Sequence, residues 1–362
     1  MSVLRVRGPV LAGPDDVRDG LWVVGGRVTY TAPSGAAGDT TVLDGWALPG
    51  LVDAHCHVGL GAHGPVDAAT AERQAVTDRD AGTLLIRDAG SPVDTRWVDD
   101  RTDLPRVIRA GRHIARPRRY IRDVAEEVEP ADLTAQVVTE ARRGDGWVKL
   151  VGDWIDRTEG DLTPCWPRAA LDQAIAAAHA EGARVTAHCF GEECLPDLIA
   201  AGIDCIEHAT GLTDATIASC AANNVAIVPT LINIATFPDI AEAAEAKFPV
   251  YAKHMRALHT RRHQTVRSAY EAGIPIYAGT DAGGTLPHGL IANEVAELTK
   301  AGLPVLEALS SATWKARPWL NHPSLEEGAQ ADLALYPSDP RQALRVLSSP
   351  TALILRGHAH HP

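Results

Sequence analysis

The sequence predicts an α/β protein: a (β/α)8 barrel joined to a small β domain made from both chain ends. Three observations carry this. Eight short apolar runs in the middle of the chain read as strands, most of them followed by helix-compatible sequence, the alternation of a parallel barrel. No G-x-G-x-x-G follows any of these runs, so the signature of an open dinucleotide-binding sheet is missing. The two ends share another texture, rich in short strands and punctuated by Gly, Pro and Asp. The expected division is 1–46 with 326–362 for the composite β domain and 47–325 for the barrel.

Composition agrees with a globular chain. The 362 residues are 45% hydrophobic and 22% charged, enough to bury a full core. A net charge of −12 argues against nucleic acid as a partner, because phosphate binding needs a basic surface. No apolar run approaches membrane-spanning length, so no membrane partner is expected. The six cysteines form no C-x-x-C pair and the N-terminus has no signal-peptide pattern. A reduced, cytoplasmic protein acting on a small molecule, possible as a homo-oligomer, is the expectation.

In chain order, LRVRGPV, LWVVGGRVTY and TTVLDGWAL are the N-terminal strands, with Gly25-Gly26 as a hairpin turn. Residues 47–59, ALPGLVDAHCHVG, hold the first barrel strand. A helix then ends at Gly82. The remaining strands are Thr83–Asp88, 106–110, Trp147–Val151, Arg184–Cys189, 204–208, 225–230 and 275–281. Thr213 is placed to cap the helix after the sixth. A long, mostly helical stretch, 238–273, precedes the eighth. The segments ADLALYPSDP and ALRVLSSPTALILRG return to the β texture, and the histidine-rich 357–362 reads as a solvated tail.

Barrel active sites lie at the C-terminal strand ends, so polar residues there carry the functional argument. His55 and His57 end the first strand two residues apart, which puts both rings on one face. Alone, this fits two buried histidines as well as two ligands of Zn2+ or a similar divalent ion. The fifth strand ends near His188, the sixth at His208 and the eighth at Asp281. Five ligand-type side chains at four predicted strand ends point to metal. Lys149 lies inside the apolar fourth strand. It can pair with an acid or snorkel outward. Alternatively, a desolvated amine there can add CO2 to give a carbamate able to bridge two cations.

These pieces resemble the amidohydrolase superfamily: LPGLVDAHCHVG, the VKL around Lys149, TAHC with His188, IEHAT with His208, AGTDAGG with Asp281 and the closing SLEEGAQADLALY. The resemblance implies a distorted (β/α)8 TIM barrel beside a small β-sandwich domain formed by both termini. It also implies roles. His55, His57 and Asp281 would hold one divalent ion and His188 and His208 a second, most simply two Zn2+, bridged by the CO2-derived carbamate of Lys149. A hydroxide between the metals would attack a carbonyl, with Asp281 as general base and then acid.

The run from GTDAGG to Pro287-His288-Gly289 looks like the branch near imidazolonepropionases and prolidase-type dipeptidases. That likeness implies His288 beside the substrate; a loop histidine capping a helix is the other reading. The loop AGRHIARPRRYIRD departs from the branch's pattern. Its arginines, Arg119 among them, are either a solvated face or a clamp for a substrate carboxylate. Tyr120 is a candidate polarising hydroxyl, and Trp154 is placed near the barrel mouth. The 238–273 stretch is either a lid or a helical insertion packed outside. The expected function is hydrolysis of an amide, peptide or cyclic amide, with an N-acyl amino acid or dipeptide as candidate substrate. The rivals are a deaminase of a heterocyclic base, a lactone, ester or phosphotriester hydrolase on the same centre, and a non-catalytic binding protein. His188 is followed by Cys-Phe-Gly-Glu192, which does not match deaminase spacing, and Lys149 favours two metals.

Overall fold

The computed structural model describes residues 3–34 and 40–362. Strands from both ends share one eight-stranded sheet. Val3–Leu11 pairs antiparallel with Val17–Val24 and parallel with Thr40–Asp44. Trp46–Pro49 pairs antiparallel with Leu333–Tyr336, which continues into Ala352–Leu355. The inner faces pack Leu4, Val6, Leu21, Val23, Leu333 and Ile354 into a core of their own. Gly25 and Gly26 both adopt left-handed φ between paired Val24 and Arg27, as a type I′ hairpin requires. The histidine-rich end is not a free tail: His358–His360 adds a strand, with Leu353 opposite His360.

The stretch 47–59 divides at Gly50. Trp46–Pro49 belongs to the terminal sheet and Leu51–Cys56 to the central array. A side chain at Gly50 would stand 2.5 Å from Leu84 side-chain atoms, so only glycine lets the chain cross between the two cores there.

The central array is parallel throughout its main pairings. Leu51–Cys56 pairs with Thr83–Asp88, which pairs with Arg106–Arg109. His113–Ala115 pairs with Trp147–Val151, then Arg184–Cys189, Cys205–His208 and Ala226–Val228 follow in order. The third strand is therefore longer than expected, and interrupted at 110–112, where Gly111 has φ +70°. The expected eighth strand is not regular. Residues 275–282 touch the array through parallel bridges, Ile227 to Ile276 and Cys56 to Ala282. Pro275 has no N–H to offer a ladder, and Asp281 turns to φ +59°. Helices sit where the pattern placed them. Asp67 caps Ala68–Asp80 and Thr213 makes a capping box on Asp214–Ala222.

Candidate metal centre

The first strand brings His55 and His57 to one face at its C-terminal end, both buried. The irregular eighth segment is laced to that end. The N–H groups of Thr280 and Asp281 donate to the His55 carbonyl at 3.0 and 2.7 Å, and His57 N–H donates to the Ala282 carbonyl at 2.8 Å. Buried Asp53 completes the lacing, accepting from His55 N, Thr280 N and Thr280 Oγ1 at 3.1, 3.0 and 2.6 Å. Burial pushes the Asp53 carboxyl up to about 7. The result places Asp281 Oδ1 2.9 Å from His57 Nε2 and 3.1 Å from His55 Nε2, with the two Nε2 atoms 3.1 Å apart.

Their outer hydrogen bonds say what these atoms are. His57 Nδ1 lies 2.8 Å from the Gly90 carbonyl, which can only accept, so Nδ1 carries the proton. His55 Nδ1 lies 2.7 Å from Glu207 Oε2. Burial works against the Glu207 charge, but Arg87, His55 and Lys149 hold its carboxyl well below the usual range. In neutral rings both Nε2 atoms therefore present lone pairs, aimed at one another and at a carboxylate oxygen. Three acceptors converging without a proton repel unless a cation sits among them.

The second half lies across the array. His208 belongs with His55 and Asp281 to a group whose ligand atoms all lie within 4.8 Å. Its Nδ1 is 2.7 Å from Thr230 Oγ1. The His188 ring centroid is 4.6 Å from that of His208, and His188 Nε2, buried, has no hydrogen-bond partner among the described residues. Burial lowers both rings, His208 to about 3, which keeps them neutral. His208, Thr230 and Asp281 all have left-handed φ, 64°, 47° and 59°. Such backbone costs about 1–3 kcal/mol per residue and gathers where function needs an unusual side-chain direction.

Lys149 sits in register between His113 and Thr186 and is 1% exposed. Among the described residues it makes no hydrogen bond or ion pair. Burial lowers its amine, with Glu207 and Asp281 opposing. It has not snorkelled out, and it feels the charges of Glu207 and Asp281 without forming an ion pair with either.

The structure redistributes the outer candidates. Tyr120 and Trp154 join a ring-to-ring wall around the cluster: His57 to His113 5.1 Å, His113 to Tyr120 4.9 Å, Tyr120 to Trp154 4.8 Å, Trp154 to His188 5.3 Å. The Arg119 guanidinium is engaged within the protein. It holds Asp156 Oδ2, the Trp154 and Thr163 carbonyls and Thr163 Oγ1, stapling the hairpin of Asp153–Asp156 and Asp161–Pro164. His288 falls outside the cluster. Cys56 alternates to the far face of the first strand, and His288 lies there with it, Nδ1 2.8 Å from Asp78 Oδ2.

Two residues were missed from sequence. His113, fully buried, has no partner for either ring nitrogen among the described residues. It pairs opposite Lys149, a register that only the structure shows. Asn233 Nδ2 donates to Asp281 Oδ2 at 2.7 Å. It stands on Leu231–Ile234, whose first N–H groups are held by buried Glu294. The helical stretch also reaches the site through Phe237, 4.7 Å from Phe190, which lies 4.2 Å from His188.

A sequence profile of the Amidohydrolase family matches residues 46–358. An uncharacterized protein of Mycobacterium tuberculosis is 57% identical over 360 residues, covering 99% of this chain and 96% of the relative. A Mycobacterium bovis protein of the same description matches equally. Among solved structures, a Xaa-Pro dipeptidase with bound methionine aligns with TM-score 0.85 and 22% identity, over 100% of both chains. A prolidase complexed with N-methylphosphonate-L-proline aligns with TM-score 0.81 and 18% identity, over 99% of this chain and 100% of the other. Ochratoxinase of A. niger aligns with TM-score 0.81 and 18% identity, over 99% and 96%. These likenesses make the α/β fold TIM-barrel-like.

Proposed function

The chain belongs to the amidohydrolase family, and from that premise we propose a two-metal centre that hydrolyses a C–N bond in a small carboxylate-bearing substrate, an N-acyl amino acid or dipeptide. Membership itself makes the chain a hydrolase acting on amide bonds, in a family that generally uses a divalent metal centre. The observation that carries our reading is the convergence of the His55 and His57 Nε2 lone pairs on Asp281 Oδ1. The orphaned Nε2 of His188 and the unpartnered Lys149 support it from the other side.

His55, His57 and Asp281 would hold one Zn2+, His188 and His208 the other, with the Lys149 carbamate between. Bound there, the ions would lower the pKa of water and polarise the scissile carbonyl. Asp281, steadied by Asn233 at 2.7 Å, takes the proton from the attacking water and returns it to the leaving nitrogen. The Tyr120 hydroxyl and His113, whose nitrogens are unspent, orient the carbonyl oxygen. Trp154 and Phe190 form an apolar side that excludes bulk water. We read the strand array as a distorted (β/α)8 barrel and the terminal strands as its β-sandwich. The six free, buried cysteines fit a cytoplasmic enzyme.

Metal analysis together with Lys149→Ala tests this. Two divalent ions per chain are expected, with the variant losing most metal and activity and recovering part of both in short carboxylic acids. One ion per chain and a fully active variant would favour the deaminase instead. Assaying N-acyl amino acids and dipeptides beside cyclic amides and lactones then separates the substrate classes.

A further inference from the structure

Below the metal centre lies a buried ion pair that the reaction as described does not use. Arg87, on Thr83–Asp88, and Glu207, on Cys205–His208, both have fully buried side chains, 2.6 Å apart from NH2 to Oε1. Each charge is expensive to bury, and a matched pair of this kind is often no more stable than apolar residues of the same size. What the pair touches is the reason to look further. The other Glu207 oxygen receives His55 Nδ1 at 2.7 Å, and Oε1 also accepts from Thr186 Oγ1. Arg87 Nε donates at 2.7 Å to the carbonyl of Ala54, the residue immediately before His55. The guanidinium rests on aromatic faces, 4.5 Å from the Trp147 ring and 5.0 Å from Trp319. Arg87 thus grips His55 twice, through its ring partner and through its backbone.

The other histidines are held differently. His57 leans on one carbonyl, Gly90, and His208 on one hydroxyl, Thr230. Of the four candidate ligand histidines, only His55 has, among the described residues, a ring partner that is itself paired with an opposite charge. We infer that Arg87 is a positioning residue for the metal centre: through Glu207 and the Ala54 carbonyl it fixes the His55 ring so that Nε2 faces His57 and Asp281. This rests on the two-metal reading above. Outer partners of ligand histidines set ring direction and tautomer, and their loss costs metal affinity while every ligand remains in place.

The test is zinc competition against a fluorescent chelator on metal-free protein, with folding followed by circular dichroism and thermal melting. Arg87→Met alone strands a buried carboxylate and risks unfolding. Arg87→Met with Glu207→Gln removes both charges while an amide oxygen still faces His55 Nδ1. In that folded double variant, affinity for one of the two zinc ions is expected to fall by about 10–100-fold, and the other to stay as in the wild type. Wild-type affinity for both ions would make the pair a structural plug and overturn the inference. A wild-type protein that takes up no zinc would overturn the two-metal reading, and this inference with it.

Discussion

Asp281 is the residue on which most constraints meet: a left-handed backbone, two histidine nitrogens on Oδ1 and the Asn233 amide on Oδ2. Its Oδ1 shares the point on which the two Nε2 lone pairs converge, and its Oδ2 is held by an amide donor, so both oxygens are committed as acceptors. Asp281→Asn is therefore expected to lower kcat by about 10²–10⁴-fold, measured with zinc in excess. Asn233→Ala leaves the carboxylate but frees it to turn, and on the order of a tenfold loss in kcat with KM little changed is expected. At this scale, the sequence placed the candidate side chains at strand ends because strand ends have a defined direction. It did not anticipate the partners of Arg119 and His288, which sit on loops. Nothing in loop sequence says whether a guanidinium faces a substrate or a hairpin, or on which side of a strand a loop histidine lands.

Among elements, the helical stretch after the seventh strand gains the most from the structure. It forms Leu231–Ile234, Phe237–Ala244 and Pro249–Glu271 and packs Phe237, Tyr251, Met255 and Leu258 against Phe190 and Leu162. His254 ties the long helix down, with Nδ1 2.9 Å from Asp161 Oδ1 and Nε2 2.9 Å from Glu192 Oε2, and Arg261 shares Glu192. Glu192 and then Asp161 raise His254 to about 9, against an ordinary 6.5. Burial opposes the Glu192 charge, yet His254 and Arg261 hold it at about 2, against 4.5. The His254 contribution is complete below pH 6.5 and is lost as pH rises through about 9. The Glu192 contribution is complete above pH 4.5 and is lost as pH falls through about 2. The melting-temperature gap between wild type and His254→Gln should thus be widest from pH 4.5 to 6.5 and close on either side. A gap independent of pH would mean the helix is held by its apolar face alone. The helices were legible from composition. Their seat was not, because the clamp joins residues 161, 192 and 254, which only folding brings together.

For the molecule as a whole, two cores meet at Gly50, where the first barrel strand begins, and the candidate centre lies at that strand's other end. If the site binds metal only in the folded state, chelation should lower the melting temperature. Zinc at a hundred times its Kd stabilises by about 2.7 kcal/mol per site, and the same treatment of Lys149→Ala should shift melting less. The terminal sheet should answer separately. Leu48 and Leu333 are fully buried on paired strands, and Leu333→Ala should cost about 2–5 kcal/mol in urea denaturation without changing zinc stoichiometry.

By itself the sequence determined the alternation of strand and helix, the β texture of both ends, and the strand positions of the six candidate side chains. Period-two strands and a barrel's one-sided mouth convert spacing directly into direction. Tertiary structure alone decided the rest: the third strand's second half with His113, the irregular eighth segment, the return of His358–His360 into the sheet, and the Arg87–Glu207 support beneath His55. Each depends on a partner distant in sequence, and local spacing carries no record of which distant group a side chain will meet.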